Sequence, residues 1–368
     1  MTEREALIAL NMLPRIGPIR VGRLMERLGS ATAILHSPLS KLQHCHGISD
    51  DLAKIIHRWE DHADLSGELT RIQERGITLL TPEDPNWPAP LREISDAPLV
   101  LYVWGELTAR DNHAIAMVGS RRTTNYGRSC AQKLAFQIAG AGYTVISGLA
   151  RGIDTASHEG AVAAKGRTVA VLGSGLAQLY PPENMPLAER IADGHGAVVS
   201  EFSLLTPPDQ QTFPQRNRIV AAWCSGLLVV ECPARSGSLI TANLATDYGR
   251  QVYAVPGPID RTSSDGCNAL IRAGATLITD GTQILDDLSL LPLQSAPPQT
   301  PDPTPAPQID LSPAESTLLA LLDREERQID ELIDTSGLPA AHVSSTLLLL
   351  EMKKLVKQLP GSYFIRPD

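Results

Sequence analysis

Ala114-Ile-Ala-Met-Val118 runs directly into Gly119-Ser-Arg-Arg122, and what recurs after it decides the fold. Short apolar runs return at 144–147, 168–172, 197–200, 227–231, 252–255 and 276–278. Helix-length segments separate most of them, among them 125–141, 154–164 and 238–248. Continuous apolar strands alternating with helices predict an α/β architecture: a doubly wound, mostly parallel sheet covered on both faces. Gly119, Gly148, Gly173 and Gly257 follow strands directly. In such sheets ligands bind beyond the carboxyl ends of the strands, so these loops are expected to share one crevice.

The flanking segments read differently. Leu7, Leu10, Leu13, Val21, Leu24 and Leu28 recur at helical spacing, and the turns Leu13-Pro-Arg-Ile-Gly-Pro18 and Cys45-His-Gly-Ile-Ser49 each lead into an amphipathic helix. This predicts a small helical domain over 1–80, of the SAM or helix-hairpin-helix kind. Such a turn can hold a DNA phosphate on backbone amides or serve only for packing. The sheet domain is expected over 81–290 and a proline-rich linker over 291–313, since residues 292–313 hold eight prolines. Helical segments at 314–323, 329–335 and 340–355, then a hairpin at 357–365, predict a winged helix over 314–368. Its balance of six basic to eleven acidic residues from 291 onward favours protein contact over DNA for this part.

At 368 residues the chain exceeds one hydrophobic core, and two or three domains are expected. No apolar run reaches the roughly 18 residues that span a bilayer, and Met1-Thr-Glu-Arg-Glu5 lacks the pattern of a signal peptide. Five scattered cysteines without a Cys-x-x-Cys pair suit reduced thiols and a cytoplasmic location. The net charge of −9 excludes a broad basic coat. Residues 81–290 nevertheless hold sixteen cations, of which only Lys133 and Lys165 are lysines. Arginine's planar fork pairs bidentately with phosphate, so a local pocket is the site to look for.

Several loops offer one. A phosphate at Gly119, Ser120, Arg121 and Arg122 would meet backbone amides and the positive end of a helix dipole. Ser147-Gly-Leu-Ala-Arg-Gly-Ile-Asp154 adds Gly148, Arg151 and Gly152, with Asp154 as a helix cap. Asp154 and His158 lie four apart, but no nucleophile accompanies them, which favours a cap over acid/base chemistry. Gly173-Ser-Gly-Leu-Ala-Gln178 lacks the third glycine of a dinucleotide fingerprint, and Tyr180-Pro-Pro182 reads as a rigid wall. In Phe213-Pro-Gln-Arg-Asn-Arg218, Phe213 can stack a base and Asn217 can meet a base edge. Arg216 and Arg218, two apart, cannot share a helix face, so one meets ligand while the other packs or pairs. Arg235, Ser236, Gly237 and Ser238 form a further anion-friendly turn. No metal cage, cofactor motif or nucleophile is evident; neither metal nor cofactor is expected, and the reading is of a binder rather than an enzyme.

Together these motifs resemble the DNA-processing protein A (DprA, or Smf) family. The resemblance runs densely over about 80–290. It includes Gly119-Ser-Arg121, Ser147 to Asp154, Tyr180-Pro with Asn184, Ser200-Glu201, Phe213-Pro-x-Arg-Asn-Arg218, Ser236-Gly-Ser-Leu-Ile-Thr241, Gly249-Arg250, Ala254-Val-Pro-Gly257 and Gly266-x-Asn268. It implies an extended Rossmann-like domain that dimerises and binds single-stranded DNA without sequence preference. It further implies protection of incoming strands and loading of the RecA recombinase in natural transformation. By position, Arg121 resembles the arginine that grips phosphate and Phe213 the aromatic beside a bound base. Family members often carry a lysine shortly before that phenylalanine, where this chain has Gln210 and Gln211. A rival reading is a phosphoribohydrolase-like enzyme, in which Glu231 or Glu201 would replace the missing catalytic glutamate. A third, a winged-helix regulator, would prefer duplex DNA.

Overall fold

The computed structural model describes residues 1–290, 312–322, 327–353, 355–359 and 363–365. Its main sheet is built from β1 (Thr78–Leu80), β2 (Leu101–Gly105), β3 (Ala114–Val118), β4 (Thr144–Ser147), β5 (Thr168–Val171), β6 (Gly196–Ser200), β7 (Gly226–Val229), β8 (Gln251–Ala254) and β9 (Thr276–Leu277). Their order is β1-β2-β6-β5-β4-β3-β7-β8-β9. From β6 to β9 all pairings are parallel, while β2 lies antiparallel to both β6 and β1. The two antiparallel edge strands went unforeseen, because 78–80 is too short and 98–105 too apolar throughout to show alternation.

Since β3 comes first among the parallel strands yet lies in the middle, the chain winds outward through β4, β5 and β6 on one side. It then returns to β7, β8 and β9 on the other. That reversal puts a crevice beyond the ends of β3 and β7. The pleat sends alternate residues of β3 to opposite cores. Ile115 and Met117 pack beneath helices Asn125–Gly140 and Ile153–Ala163. Ala114, Ala116 and Val118 face helices Thr212–Trp223 and Gly237–Asp247. Helix Asn125–Gly140 starts where the Thr124 hydroxyl accepts the Gly127 amide at 3.2 Å and buries Ala131, Leu134, Ala135 and Ile138 along one stripe. Trp223 anchors the opposite layer. It is wholly buried and donates its indole N–H to the Asp111 carbonyl at 2.8 Å. Truncating it would cost about 3–5 kcal/mol.

Helices Glu3–Met12, Pro18–Leu28, Asp50–His57 and Leu65–Glu74 build the N-terminal layer, with short helices between them. Where the sequence suggested a boundary at 80, the structure has one compact unit, Met1–Leu293. One apolar core joins Leu7, Leu10 and Leu24 to Tyr102, Leu172 and Val198, and two polar ties reinforce it. Buried Glu68 accepts the Leu204 amide at 2.7 Å, and Asn11 donates to the Glu201 carbonyl at 2.7 Å.

The second unit is a winged helix. Helices Pro313–Leu321, Ile329–Ser336 and Ala340–Met352 enclose Leu318, Leu332, Val343, Leu347 and Leu350. Strands β10 (Arg327–Gln328), β11 (Lys357–Leu359) and β12 (Tyr363–Ile365) pair antiparallel in the order β10-β12-β11. The linker expected at 291–313 falls almost wholly outside the described residues, as does the turn at Pro360-Gly361.

Candidate nucleic-acid interface

The loops after β3, β4 and β7 are stitched together through their backbones. The Ser120 amide donates to the Glu231 carbonyl at 2.7 Å, and the Ser120 carbonyl accepts from the Ile153 amide at 3.2 Å. These contacts leave no room for side chains at two glycines. A Cβ on Gly119 would stand 2.5 Å from Ile153, and one on Gly152, whose φ is +81°, only 2.3 Å from the Ser120 carbonyl oxygen. The Glu231 carboxylate clamps the arrangement. It accepts the Thr124 amide at 2.8 Å and the hydroxyls of Thr123 and Thr124 at 2.6 and 2.8 Å. Burial lifts the pKa of Glu231, but these bonds outweigh it and hold the carboxyl below its usual value.

Beyond the strand ends these loops and helix Thr212–Trp223 enclose a cleft of about 690 Å³. Its charged lining is Arg121, Arg122, Arg216 and Arg235 against Asp154 alone. Four cations face one carboxylate in a chain of net charge −9. Arg121, Arg122 and Arg235 are exposed, and none forms an ion pair among the described residues. The fourth, Arg216, is 4% exposed. It donates to the Val171 carbonyl and occupies the space where a Cβ on Gly148 would stand, 1.7 Å from its Nη1. Burial lowers the pKa of Arg216 and nearby Asp154 opposes the shift; burial likewise raises that of Asp154.

A row of two rings flanked by two cations crosses the rim. The Arg121 guanidinium lies 4.8 Å from the centroid of the Phe213 ring. Phe213 and Tyr180 are 6.1 Å apart by centroids, and Arg151 lies 5.5 Å over Tyr180. Such a row presents π-faces for bases and guanidinium groups for phosphates. At the opposite wall helix Gly237–Asp247 opens, capped by the Ser236 hydroxyl, which accepts the Ser238 amide at 3.3 Å. A Cβ on Gly237 would meet nothing within 4 Å, so this helix start is open to an anion.

The model of the family described as DNA recombination-mediator protein A matches residues 78–289, and that of the DprA winged helix domain matches 301–362. The chain belongs to the DNA recombination-mediator protein A (DprA) family. Protein Smf of Synechocystis sp. is 32% identical across 99% of both chains. The crystal structure of DNA processing protein A from Streptococcus pneumoniae is 32% identical, with a TM-score of 0.67, covering 78% of this chain and 98% of that one. DNA processing protein A from Helicobacter pylori, in work described as giving insight into its single-stranded DNA binding mode, is 28% identical. Its TM-score is 0.52, with 58% of this chain and 97% of that one covered.

Within this DprA-family site the residues singled out from sequence separate into three groups. Gly119, Ser120, Arg121, Arg122, Phe213, Arg216, Asn217, Arg235, Ser236, Gly237 and Ser238 line the cleft together. Gly148 and Gly152 stand behind it and make the close backbone packing possible. Arg151 sits outside the cleft, on the aromatic row, where it pairs with Glu183 and donates to the Tyr180 hydroxyl at 3.2 Å. Arg218 is not in this cleft. It pairs with Glu201 and, at 3.6 Å, with Asp96.

Asp154 is no helix cap either. Gly152 holds the N-cap position, and the Asp154 carboxylate accepts the amides of Gly148 and Ala150 at 3.1 and 3.3 Å, bracing the preceding loop. His158 is buried with its Nδ1 2.7 Å from the Thr168 hydroxyl, and burial drives its pKa to about 3. It is held neutral inside the core, packed as a structural histidine. Sequence reasoning missed Tyr180 as a ring facing Phe213, and the clamp by Glu231. The threonine pair Thr123-Thr124 was the available signal for the clamp. No His/Cys/Asp/Glu group able to hold a metal occurs among the described residues, and none of their helices is long and apolar enough to cross a membrane.

Proposed function

We propose that this DprA-family chain binds single-stranded DNA without sequence preference, acting as a binder and not as an enzyme. Phosphates lie on the loops of the arginine-lined cleft and bases stack on Phe213. The observation that carries the reading is Arg121 seated on Phe213 with no carboxylate among the described residues paired to it. A cation and a π-face are thus offered at one point of the rim, and neither contact distinguishes one base from another. The single-stranded DNA binding described for the Helicobacter pylori relative supports it. In the cell the chain would work as a cytoplasmic homodimer that protects incoming strands in natural transformation and hands them to RecA.

The hydrolase alternative needs a free carboxylate. Glu231 is taken by Thr123 and Thr124, and one oxygen of the buried Glu201 by Arg218. Binding to single- and double-stranded oligonucleotides of one sequence, across a salt series, tests the reading. Preference for the single strand with steep salt dependence is expected. Preference for duplex would favour the winged-helix regulator, and steady release of free base from nucleoside monophosphates would favour the hydrolase. RecA loading is tested separately, by the rate of RecA filament nucleation on single strands with and without this protein.

A further inference from the structure

A second, larger cleft of about 810 Å³ lies where the N-terminal helices meet the sheet, and the DNA-binding reading above leaves it unused. Arg15, Arg20 and Arg23 line one wall from the turn Leu13-Pro-Arg-Ile-Gly-Pro18 and the helix it opens. All three are exposed, and no carboxylate among the described residues pairs with them. Helix Pro18–Leu28 starts at this cleft, and no side chain caps it. The facing wall carries Arg218 with two carboxylates, Glu201 and Asp96, so four arginines face two acids in this cleft. The side chains of Arg218 and Glu201 are 11% and 7% exposed and are paired to one another. Each retains an atom without a hydrogen-bond partner: Nη1 of Arg218 and Oε1 of Glu201.

The two clefts are neighbours along one helix. Phe213, Pro214 and Arg216 line the first, whereas Thr212 and Gln215 line the second. These positions, with Asn217 on the first side and Arg218 on the second, lie on opposite faces of the helix, so the divider is its first turn, about 10 Å across. Resting on the single-stranded DNA reading of the first cleft, we propose that the same strand passes over this turn into the second cleft. Its phosphates would be held there by Arg15, Arg20 and Arg23, and a base edge would face Glu201 and Arg218. The N-terminal layer thereby lengthens the footprint without adding net charge to the molecule.

The test is fluorescence anisotropy of labelled DNA with the full-length protein, using strands of about 5 and about 20 nucleotides in a salt series. The triple variant Arg15→Ala, Arg20→Ala, Arg23→Ala should bind the short strand within about two-fold of the parent and the long one about ten-fold more weakly. Its salt slope on the long strand should fall by about 2, because each phosphate contact to a single strand contributes about 0.7. The corresponding triple lysine variant, which keeps the charges, should restore that slope. Unchanged affinity and slope on the long strand overturn the second cleft, as does equal loss on both lengths. If Arg121→Ala still weakens both lengths in that case, the first cleft stands. If the parent binds neither strand, both readings fall together.

Discussion

Replacing Arg121 with alanine removes the cation at the point where ring and phosphate are expected to meet. A charge-assisted hydrogen bond is worth about 1.5–3 kcal/mol. Against this, the free protein has Arg121 resting on Phe213 at 4.8 Å, a contact worth about 0.5 kcal/mol at an exposed site. An incoming base must displace that contact, and in the variant it need not. The net loss is then about 1–2.5 kcal/mol, or roughly five- to sixty-fold in affinity at about 1.4 kcal/mol per decade. The salt slope should also fall by about 0.7, the share of one phosphate on a single strand. Arg121 is exposed, so thermal stability should barely move. Filter binding of a homopolymer at several salt concentrations gives both numbers. Combining the substitution with Phe213→Ala should show coupling of about 0.5 kcal/mol or more, as expected of residues in contact. An affinity within about two-fold of the parent, with an unchanged slope, would refute the placement of phosphate at Arg121.

Three further outcomes are expected. Glu183→Ala frees Arg151 from its exposed ion pair and should tighten strand binding a few-fold at low salt, an effect that fades as salt rises; titration at two ionic strengths checks it. Glu231→Gln weakens the bonds to Thr123 and Thr124 and should cost about 1–3 kcal/mol in chemical denaturation, with weaker DNA binding from a loosened Arg121 loop. His158, whose folded pKa is depressed to about 3, takes up its proton more readily in the unfolded chain. Its contribution to stability is therefore complete above about pH 6.5 and declines as pH falls toward 3, by up to about 1.4 kcal/mol per unit. In His158→Gln, denaturation midpoints between pH 6.5 and 4 should lose that part of their slope.

The parallel sheet was legible in the sequence because strands buried on both faces are written as unbroken apolar runs. The runs at 114–118 and 144–147 coincide with β3 and β4 residue for residue. The crevice was legible too, since glycine and arginine directly after a strand can only sit at its carboxyl end. What sequence could not yield was direction. Arg216 and Arg218 differ by two positions, and only the packing of helix Thr212–Trp223 decides which of them lies under Gly148 and which meets Glu201. Asp154 looked like a cap because caps are local, but its partners lie upstream in a loop whose path depends on Gly148 and Gly152. Tyr180 reached Phe213 across thirty-three positions, a separation at which no periodicity survives.

Arg216 has one more consequence. Its charge is held inside the protein wall under Gly148, where counterions cannot approach it, whereas Arg121, Arg122 and Arg235 stand in solution. Mobile ions mask surface charges within about 10 Å at 0.1 M salt, but they mask an enclosed one far less. The pull on a polyanion therefore has two components, one set by cations in solution and one fixed in the wall, where Asp154 beside Arg216 offsets part of it.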